Sequence, residues 1–245
     1  MPQHASKIRL FVEAPLAAGA EVMLSGDQAH YLVNVMRLRE GAEISVFNGN
    51  DGEWRARVAA LARKGGGLEA LERLRAQAAP PDLWLLFAPL KKARTDFVAE
   101  KACEMGCRRL IPVFTQHTNA ERVNAARLRA HAVEAAEQCG LLSVPEIAEP
   151  MALGAALAAL GPRRLMFCDE TGAGRPAAAV LAEAGTGGPW AVLIGPEGGF
   201  SDAERARLAA HPGAVPVSLG PRILRADTAA VAALALWQAA LGDWR

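Results

Sequence analysis

The stretch Ala191-Val192-Leu193-Ile194-Gly195-Pro196-Glu197-Gly198-Gly199-Phe200-Ser201 decides how this chain reads. Ala191–Ile194 is apolar without alternation, as a strand buried on both faces requires. A Gly-Pro turn ends the run, and Ser201 with Glu204 three residues later forms a capping box that opens a helix. Buried strand, glycine loop and capped helix together are the signature of an α/β fold class with a mostly parallel sheet.

The same rhythm extends outward from that stretch. Apolar runs at Leu83–Phe87, Leu110–Phe114, Leu165–Cys168 and Ala214–Leu219 predict further buried strands. Between them Thr95–Met105, Ala125–Cys139, Met151–Leu160, Pro176–Glu183, Asp202–Leu208 and Thr228–Leu241 predict helices covering both faces. Upstream, the pieces Ile8–Glu13, Glu21–Leu24, Glu43–Phe47, Glu53–Leu61 and Gly67–Arg75 read as short strands. Asn48-Gly49-Asn50-Asp51-Gly52 is a hairpin turn between two of them, and Gln28–Leu38 has helical spacing. A small β-barrel-like domain over 1–77 therefore precedes an α/β domain over 78–245. Pro80-Pro81 marks the boundary, because two prolines stop both helix and central strand.

Composition narrows the function classes. Half of the 245 residues are hydrophobic (51%), too many for a disordered chain. Four cysteines without a CxxC pair exclude a disulfide scaffold or a zinc ribbon. Cys103 and Cys107, and likewise Cys139 and Cys168, read as buried thiols. No apolar run is long enough to span a bilayer and Met1–Leu10 shows no leader, so a cytoplasmic protein is expected. The net charge of +1 conceals an asymmetry. Residues 89–129 carry nine basic side chains against four acidic, and 130–204 three against ten. A concentrated basic region points to a polyanionic partner, or to solvated helix faces.

Three loops follow predicted strands and would share one rim of a parallel sheet. In Gly195–Gly199 the glycines let a ligand approach the backbone. The run lacks both GxGxxG and the Lys-Ser/Thr ending of a P-loop, so a ligand without phosphate is expected, or else a plain tight turn. Leu219-Gly220-Pro221-Arg222-Ile223-Leu224-Arg225-Ala226-Asp227 sets charges between buried elements, either functional or as an Arg225–Asp227 helix cap. Lys91, Lys92 and Arg94 form the third loop. In the small domain His30, Arg37 and Arg39 flank an apolar stripe, where arginines could contact phosphate and Tyr31 could stack a base. HExxH, GxSxG and a two-carboxylate pair are all absent, and the five histidines have no metal spacing.

Read in order, these runs resemble the bacterial 16S ribosomal RNA uridine-N3 methyltransferases. Gly195-Pro196-Glu197-Gly198-Gly199-Phe200 and Leu219-Gly220-Pro221-Arg222-Ile223-Leu224-Arg225 resemble that family's two C-terminal motifs. His30–Leu38 resembles its N-terminal motif, Lys101, Glu104 and Gly106-Cys107 its lysine–glutamate–glycine helix, and Glu134–Cys139 its central helix. This chain departs from it at Ala226-Asp227, where Thr-Glu is common, and at Gln116, where arginine is frequent.

The resemblance implies a PUA-like N-terminal barrel and a SPOUT-type domain with a trefoil knot, acting as a homodimer. It implies S-adenosylmethionine held by Leu193, Ile194, Gly195, Glu197, Gly198, Gly199, Leu219, Gly220, Ile223, Leu224 and Arg225. It implies 16S ribosomal RNA as partner, met by Arg9, His30, Arg37, Arg39, Lys91, Lys92 and Arg94. Methylating N3 of uracil requires loss of the N3 proton, so an arginine should stabilise the developing anion. Arg225 is the first candidate, with Arg9 and Asp227 as further catalytic candidates. A methyltransferase for another RNA base, and an RNA-binding assembly protein without catalysis, remain as alternatives.

Overall fold

A computed structural model describes residues 8–62, 65–169, 174–185 and 188–244. The first seven residues, where a leader would be read, lie outside it. The chain divides into two compact units, with boundaries at Ala79/Pro80 and around Ala136–Val144. The first unit takes the described residues up to Ala79 together with Ala136–Val144, and the second takes the rest. The return of 136–144 to the first unit has no counterpart in the expected split at 77/78.

In the first unit, β1 (Arg9–Phe11), β2 (Glu21–Leu24), β3 (Glu43–Phe47), β4 (Glu53–Ala62) and β5 (Gly65–Arg75) form one sheet in the order β1-β3-β4-β5-β2. Only β1 and β3 run parallel. Alternate residues, among them Val22, Leu24, Ala56, Val58, Leu68 and Ala70, point into a single core with Leu10, Leu32 and Ile44. The turn at 48–52 is locked by Asn48, whose Oδ1 accepts from Asn50 and Asp51 N–H at 3.0 and 2.9 Å. Gly52, at φ +86°, is required there, since a Cβ would run into the Arg75 carbonyl oxygen.

The expected helix over Gln28–Leu38 is shorter and irregular. A capping box of Ser25 and Gln28 starts α1 (Gly26–His30), which passes into a π-helical turn, Tyr31–Val35. Arg37 then stands at φ +54°, which no helix continues through.

The second unit contains β6 (Leu83–Phe87), α2 (Lys92–Glu104), β7 (Arg109–Phe114), α3 (Ala125–Cys139), β8 (Glu146–Ile147), β9 (Met151–Ala152) and α4 (Leu153–Ala159). It continues with β10 (Arg164–Cys168), β11 (Arg175–Pro176), α5 (Ala177–Glu183), β12 (Trp190–Ile194), α6 (Asp202–Ala209), β13 (Ala214–Ser218) and α7 (Ala226–Leu241). The last turn of α3 counts with the first unit. The sheet runs β11-β13-β10-β12-β6-β7-β8, with β9 also on β7, and every ladder is parallel.

Period-two alternation explains the two layers of core. Trp190, Val192 and Ile194 of β12 face a cluster with α2, α5 and α7, whereas Ala191 and Leu193 face a cluster with α4 and α6. Each fully buried Leu, Val or Phe contributes about 1.5–3 kcal/mol by leaving water, so these two clusters hold the sheet. Gly106, at φ +72°, ends α2 where a Cβ would stand 2.9 Å from Gln238 Nε2. Buried Gln238 in turn donates to the Met105 carbonyl at 2.5 Å and fastens α7 to the end of α2. Cys103 and Cys107 are buried as expected, but Cys139 is exposed and Cys168 only partly covered.

Candidate functional site

Neighbouring strands β13, β10 and β12 end on the same side, and their carboxyl ends open into a cleft of about 440 Å³. In a parallel sheet this is where loops diverge and leave room for a ligand. The end of β10 contributes Cys168 and Asp169, the loop after β12 contributes Gly195–Glu197 and Gly199, and the loop after β13 contributes Ser218–Arg225. Ile194, Leu219, Leu224 and Ala229 make the apolar wall. Gly199 at φ +70° and Gly220 at φ +115° occupy backbone conformations that side chains resist.

The loop after β12 is braced from behind. A Cβ on Gly195 would lie 2.9 Å from the Phe200 ring, so glycine there lets the buried phenyl fold beneath the loop. Gly199 N–H donates to the Pro196 carbonyl at 2.9 Å, and His117 Nδ1 stands 3.0 Å from the Gly199 carbonyl oxygen. Ser201 and Glu204 form the expected capping box on α6. Glu204 also accepts from the backbone N–H of Gln116 at 2.8 Å. That contact at Gln116 is made by the backbone, which any residue but proline supplies.

One arginine connects the loops. Arg94, in the first turn of α2, pairs with Glu197, and its Nε lies 3.6 Å from Asp227 Oδ2. Asp227 occupies the first turn of α7, where a carboxylate favours the positive end of the helix, and accepts from Thr228 N–H at 2.8 Å. Its partner is Arg94 rather than Arg225. Arg225 itself is the N-cap of α7, is exposed and lines the cleft; no described residue engages its guanidinium.

Several expected site residues stand elsewhere. Leu193 is fully buried in the core on the α4 and α6 face and is not part of the cleft wall. Gly198 faces the His117 side chain, 3.1 Å from where its Cβ would be, rather than the cleft. Arg94 pairs with Glu197 and faces Asp227, and its side chain is 31% exposed. Lys91 and Lys92 are exposed at the start of α2, and His30, Arg37 and Arg39 are exposed on the first unit.

Arg9 calls for a correction of its expected catalytic and RNA-contacting roles. Its side chain is 10% exposed; Nε bonds Glu53 at 2.7 Å, and Nη1 and Nη2 cap the carbonyls of Ala136, Glu137 and Leu141 at 2.6, 2.9 and 2.7 Å. Its guanidinium also lies 4.4 Å from the Phe47 ring centre. Every face of the group is spent on closing the end of α3, with Arg75 adding a bond to the Gly140 carbonyl at 2.9 Å.

Sequence reasoning missed Cys168, Asp169 and Ser218. Strand order alone exposes them, because β10 and β13 flank one another and β10 flanks β12. The Cys168 thiol is pushed up to about 12 by burial and stays neutral. The Asp169 side chain is 11% exposed, with Arg205 Nη1 at 3.7 Å. Carboxylates at Asp169 and Glu197, an apolar wall and glycine-bearing loops suit a ligand with cationic groups and a flat apolar part. Among the described residues, no cluster of three or more His, Cys, Asp or Glu is arranged to hold a metal.

Comparison with known proteins fits this geometry. A sequence profile of the RNA methyltransferase domain matches residues 77–238, and one of the RNA methyltransferase PUA domain matches 24–66. Ribosomal RNA small subunit methyltransferase E of Synechocystis is 33% identical over 93% of this chain and 76% of its own length. The Rickettsia conorii protein of the same name is 27% identical over 93% of both chains. Among solved structures, a Legionella pneumophila methyltransferase holding S-adenosylmethionine superposes with a TM-score of 0.87 at 27% identity, over 96% of this chain and 98% of that one. Ribosomal RNA small subunit methyltransferase E of Neisseria gonorrhoeae, also bound to S-adenosylmethionine, gives 0.85 at 27% identity over 99% and 100%.

Proposed function

The chain belongs to the RNA methyltransferase family, with ribosomal RNA small subunit methyltransferase E among its relatives, and on that premise we propose that it transfers a methyl group from S-adenosylmethionine to N3 of a uridine in 16S ribosomal RNA. The observation that carries the reading is the cleft at the ends of β10, β12 and β13, built from glycine-bearing loops and two carboxylates. Its shape and charge fit a cofactor that has an adenine ring and cationic groups and no phosphate.

S-adenosylmethionine, when bound, supplies a methyl group made electrophilic by its sulfonium. The chain's own residues do the rest. Ile194, Leu219, Leu224 and Ala229 exclude water from the apolar part of the cleft. Asp169 and Glu197, each already beside an arginine, present carboxylate oxygens to the cationic groups of the cofactor. Arg225, exposed and unengaged at the mouth, stabilises negative charge on the uracil as the N3 proton passes to solvent water. Placement of N3 in line with the methyl group supplies the remaining acceleration. The target uridine is unpaired or drawn out of its helix, because N3 is otherwise occupied in a base pair. Asp227 acts by holding Arg94, and so the loop, in place.

His30, Arg37 and Arg39, exposed on the unit that matches the PUA profile, contact RNA together with Lys91 and Lys92. A homodimer agrees with Ile223, which is 91% exposed at the cleft lip and needs a cover. A trefoil knot agrees with the strand order, in which the last strand β13 enters between β10 and β11 instead of adding at an edge. The protein acts in the cytoplasm, where its substrate is assembled; no described helix is long and apolar enough to cross a membrane. Isothermal titration with S-adenosylmethionine tests the cleft directly. A stoichiometric heat that Gly195→Val abolishes supports it, and no heat with the wild-type protein rejects it.

A further inference from the structure

A second and larger cavity lies in the methyltransferase unit, about 810 Å³, between the start of α2 and the segment leading into α3. Lys91 and Lys92 line it from one side, and Arg122 and Asn124 from the other. The side chains of Lys91, Lys92 and Arg122 are exposed, and no described residue bonds or pairs with them. Arg127, also on the wall, is different: it is spent on a two-pronged contact with buried Asp96 at 2.9 and 2.6 Å. Glu121 and Glu149 are the remaining charges, both exposed.

Three uncommitted cations converge on one space, and two of them stand where α2 presents its positive end. No acidic residue occupies that first turn. Cations at such a position are repelled by the positive end of the helix dipole and are relieved by an anion. A phosphate alone would need a small, wholly cationic hole. This cavity has the volume of a ligand site for a larger group, and its carboxylates and Asn124 offer acceptors and donors for a base edge or a ribose hydroxyl. It is also connected to the chemistry. A small hollow of about 110 Å³ is walled by Leu90, Lys91 and Ala120, shared with the cavity, and by Pro196 and Glu197, shared with the cofactor cleft.

We propose that this cavity binds a nucleotide of the substrate RNA other than the one methylated, with Lys91, Lys92 and Arg122 on its phosphate. The inference rests on the RNA methyltransferase reading and adds a site for the RNA strand to it. A flanking nucleotide held here fixes the strand's path past the cleft, so that the target base is the one delivered to Arg225.

The test compares wild type with Lys92→Ala/Arg122→Ala, both exposed positions, and with the charge reversal Lys92→Glu/Arg122→Glu. Circular dichroism melts establish folding. Fluorescence anisotropy measures binding of a labelled single-stranded RNA dodecamer as a function of salt, and titration measures S-adenosylmethionine affinity. The double alanine variant should bind RNA about tenfold more weakly and lose up to about 0.7 from the slope of log K against log salt, the share of the one single-strand phosphate these side chains neutralise. S-adenosylmethionine affinity should not change. Equal affinity and slope in wild type and both variants overturn the subsite, as does a wild-type protein that fails to bind RNA. Methyl transfer is scored separately: a wild type that binds the dodecamer with the expected slope change but methylates no ribosomal RNA rejects the proposed function and leaves the subsite standing.

Discussion

Arg94 Nε stands 3.6 Å from Asp227 Oδ2 while the same guanidinium bonds Glu197, so one side chain joins the first turns of α2 and α7 to the loop after β12. The consequence is a cleft whose shape depends on a residue outside its wall. Arg94→Ala should release the loop and weaken S-adenosylmethionine binding about fivefold, the equivalent of the ~1 kcal/mol expected of a partly exposed ion pair. Arg94→Lys should recover only part of this, since a lysine cannot serve two carboxylates in a fork. Calorimetric titration checks it; unchanged affinity in Arg94→Ala would remove Arg94 from the account.

The two glycines at 195 and 198 should behave differently. Gly195→Ala drives a methyl group to within 2.9 Å of the Phe200 ring, so overpacking should cost about 1–3 kcal/mol and impair cofactor binding. Gly198→Ala meets only the His117 side chain at 3.1 Å, which can move, and should lower affinity less than twofold. Thermal melts and titrations on both variants settle the order, and the reverse order would contradict the placement of the loop.

Arg9→Ala should destabilise the protein by about 3–5 kcal/mol, because it leaves buried Glu53 to Arg75 alone and uncaps the carbonyls of Ala136, Glu137 and Leu141. Denaturant unfolding measures this. A catalytic Arg9 would instead show normal stability with a collapsed turnover number.

Acid should undo one turn of the first unit. Asp51 is held below its ordinary value of 3.8, first by the Leu16 N–H and then by Asn48. A depressed carboxylate stabilises the fold fully above the unfolded value and loses that effect as pH falls through the lower folded value. Asp51→Asn should therefore melt below wild type near neutrality, and the gap should close as pH drops below 3.8. A gap independent of pH would assign the effect to shape and not to charge.

Much of this arrangement is legible in the sequence, for identifiable reasons. The run Ala191–Ile194 and the Ser201/Glu204 box are local signals; α6 begins where the box places it, and β12 begins one residue before the expected run, at Trp190. Met151-Ala152 is different. It reads as the start of a helix but pairs with the end of β7, and a two-residue parallel bridge has no periodicity to detect. α1 starts earlier than the expected Gln28, at Gly26 behind a capping box of Ser25 and Gln28, and the break at Arg37 has no sequence signal, since only Gly or Asn announces a positive φ. Asp169 and the α3 end gripped by Arg9 depend on strand order and on contacts more than a hundred residues apart, which no window of sequence contains.

Arg225 should carry the stabilisation of the uracil anion. Arg225→Ala should lower turnover about 10²–10³-fold, the usual cost of one preorganised donor, with little change in cofactor affinity. Higher pH should partly restore it, because more of the uracil is then already deprotonated. A pH–rate profile without that rescue would move the role elsewhere, with Arg222 on the same wall the next residue to test.

The central claim is chemical: methyl transfer from S-adenosylmethionine to N3 of uridine in small-subunit ribosomal RNA. The most direct measurement is to incubate the purified protein with deuteromethyl-labelled S-adenosylmethionine and 16S ribosomal RNA, both free and in assembled small subunits. The RNA is then digested to nucleosides and analysed by mass spectrometry. The account predicts label in 3-methyluridine at a single site, lost with Arg225→Ala. Label in any other nucleoside, or none in either substrate, would contradict it.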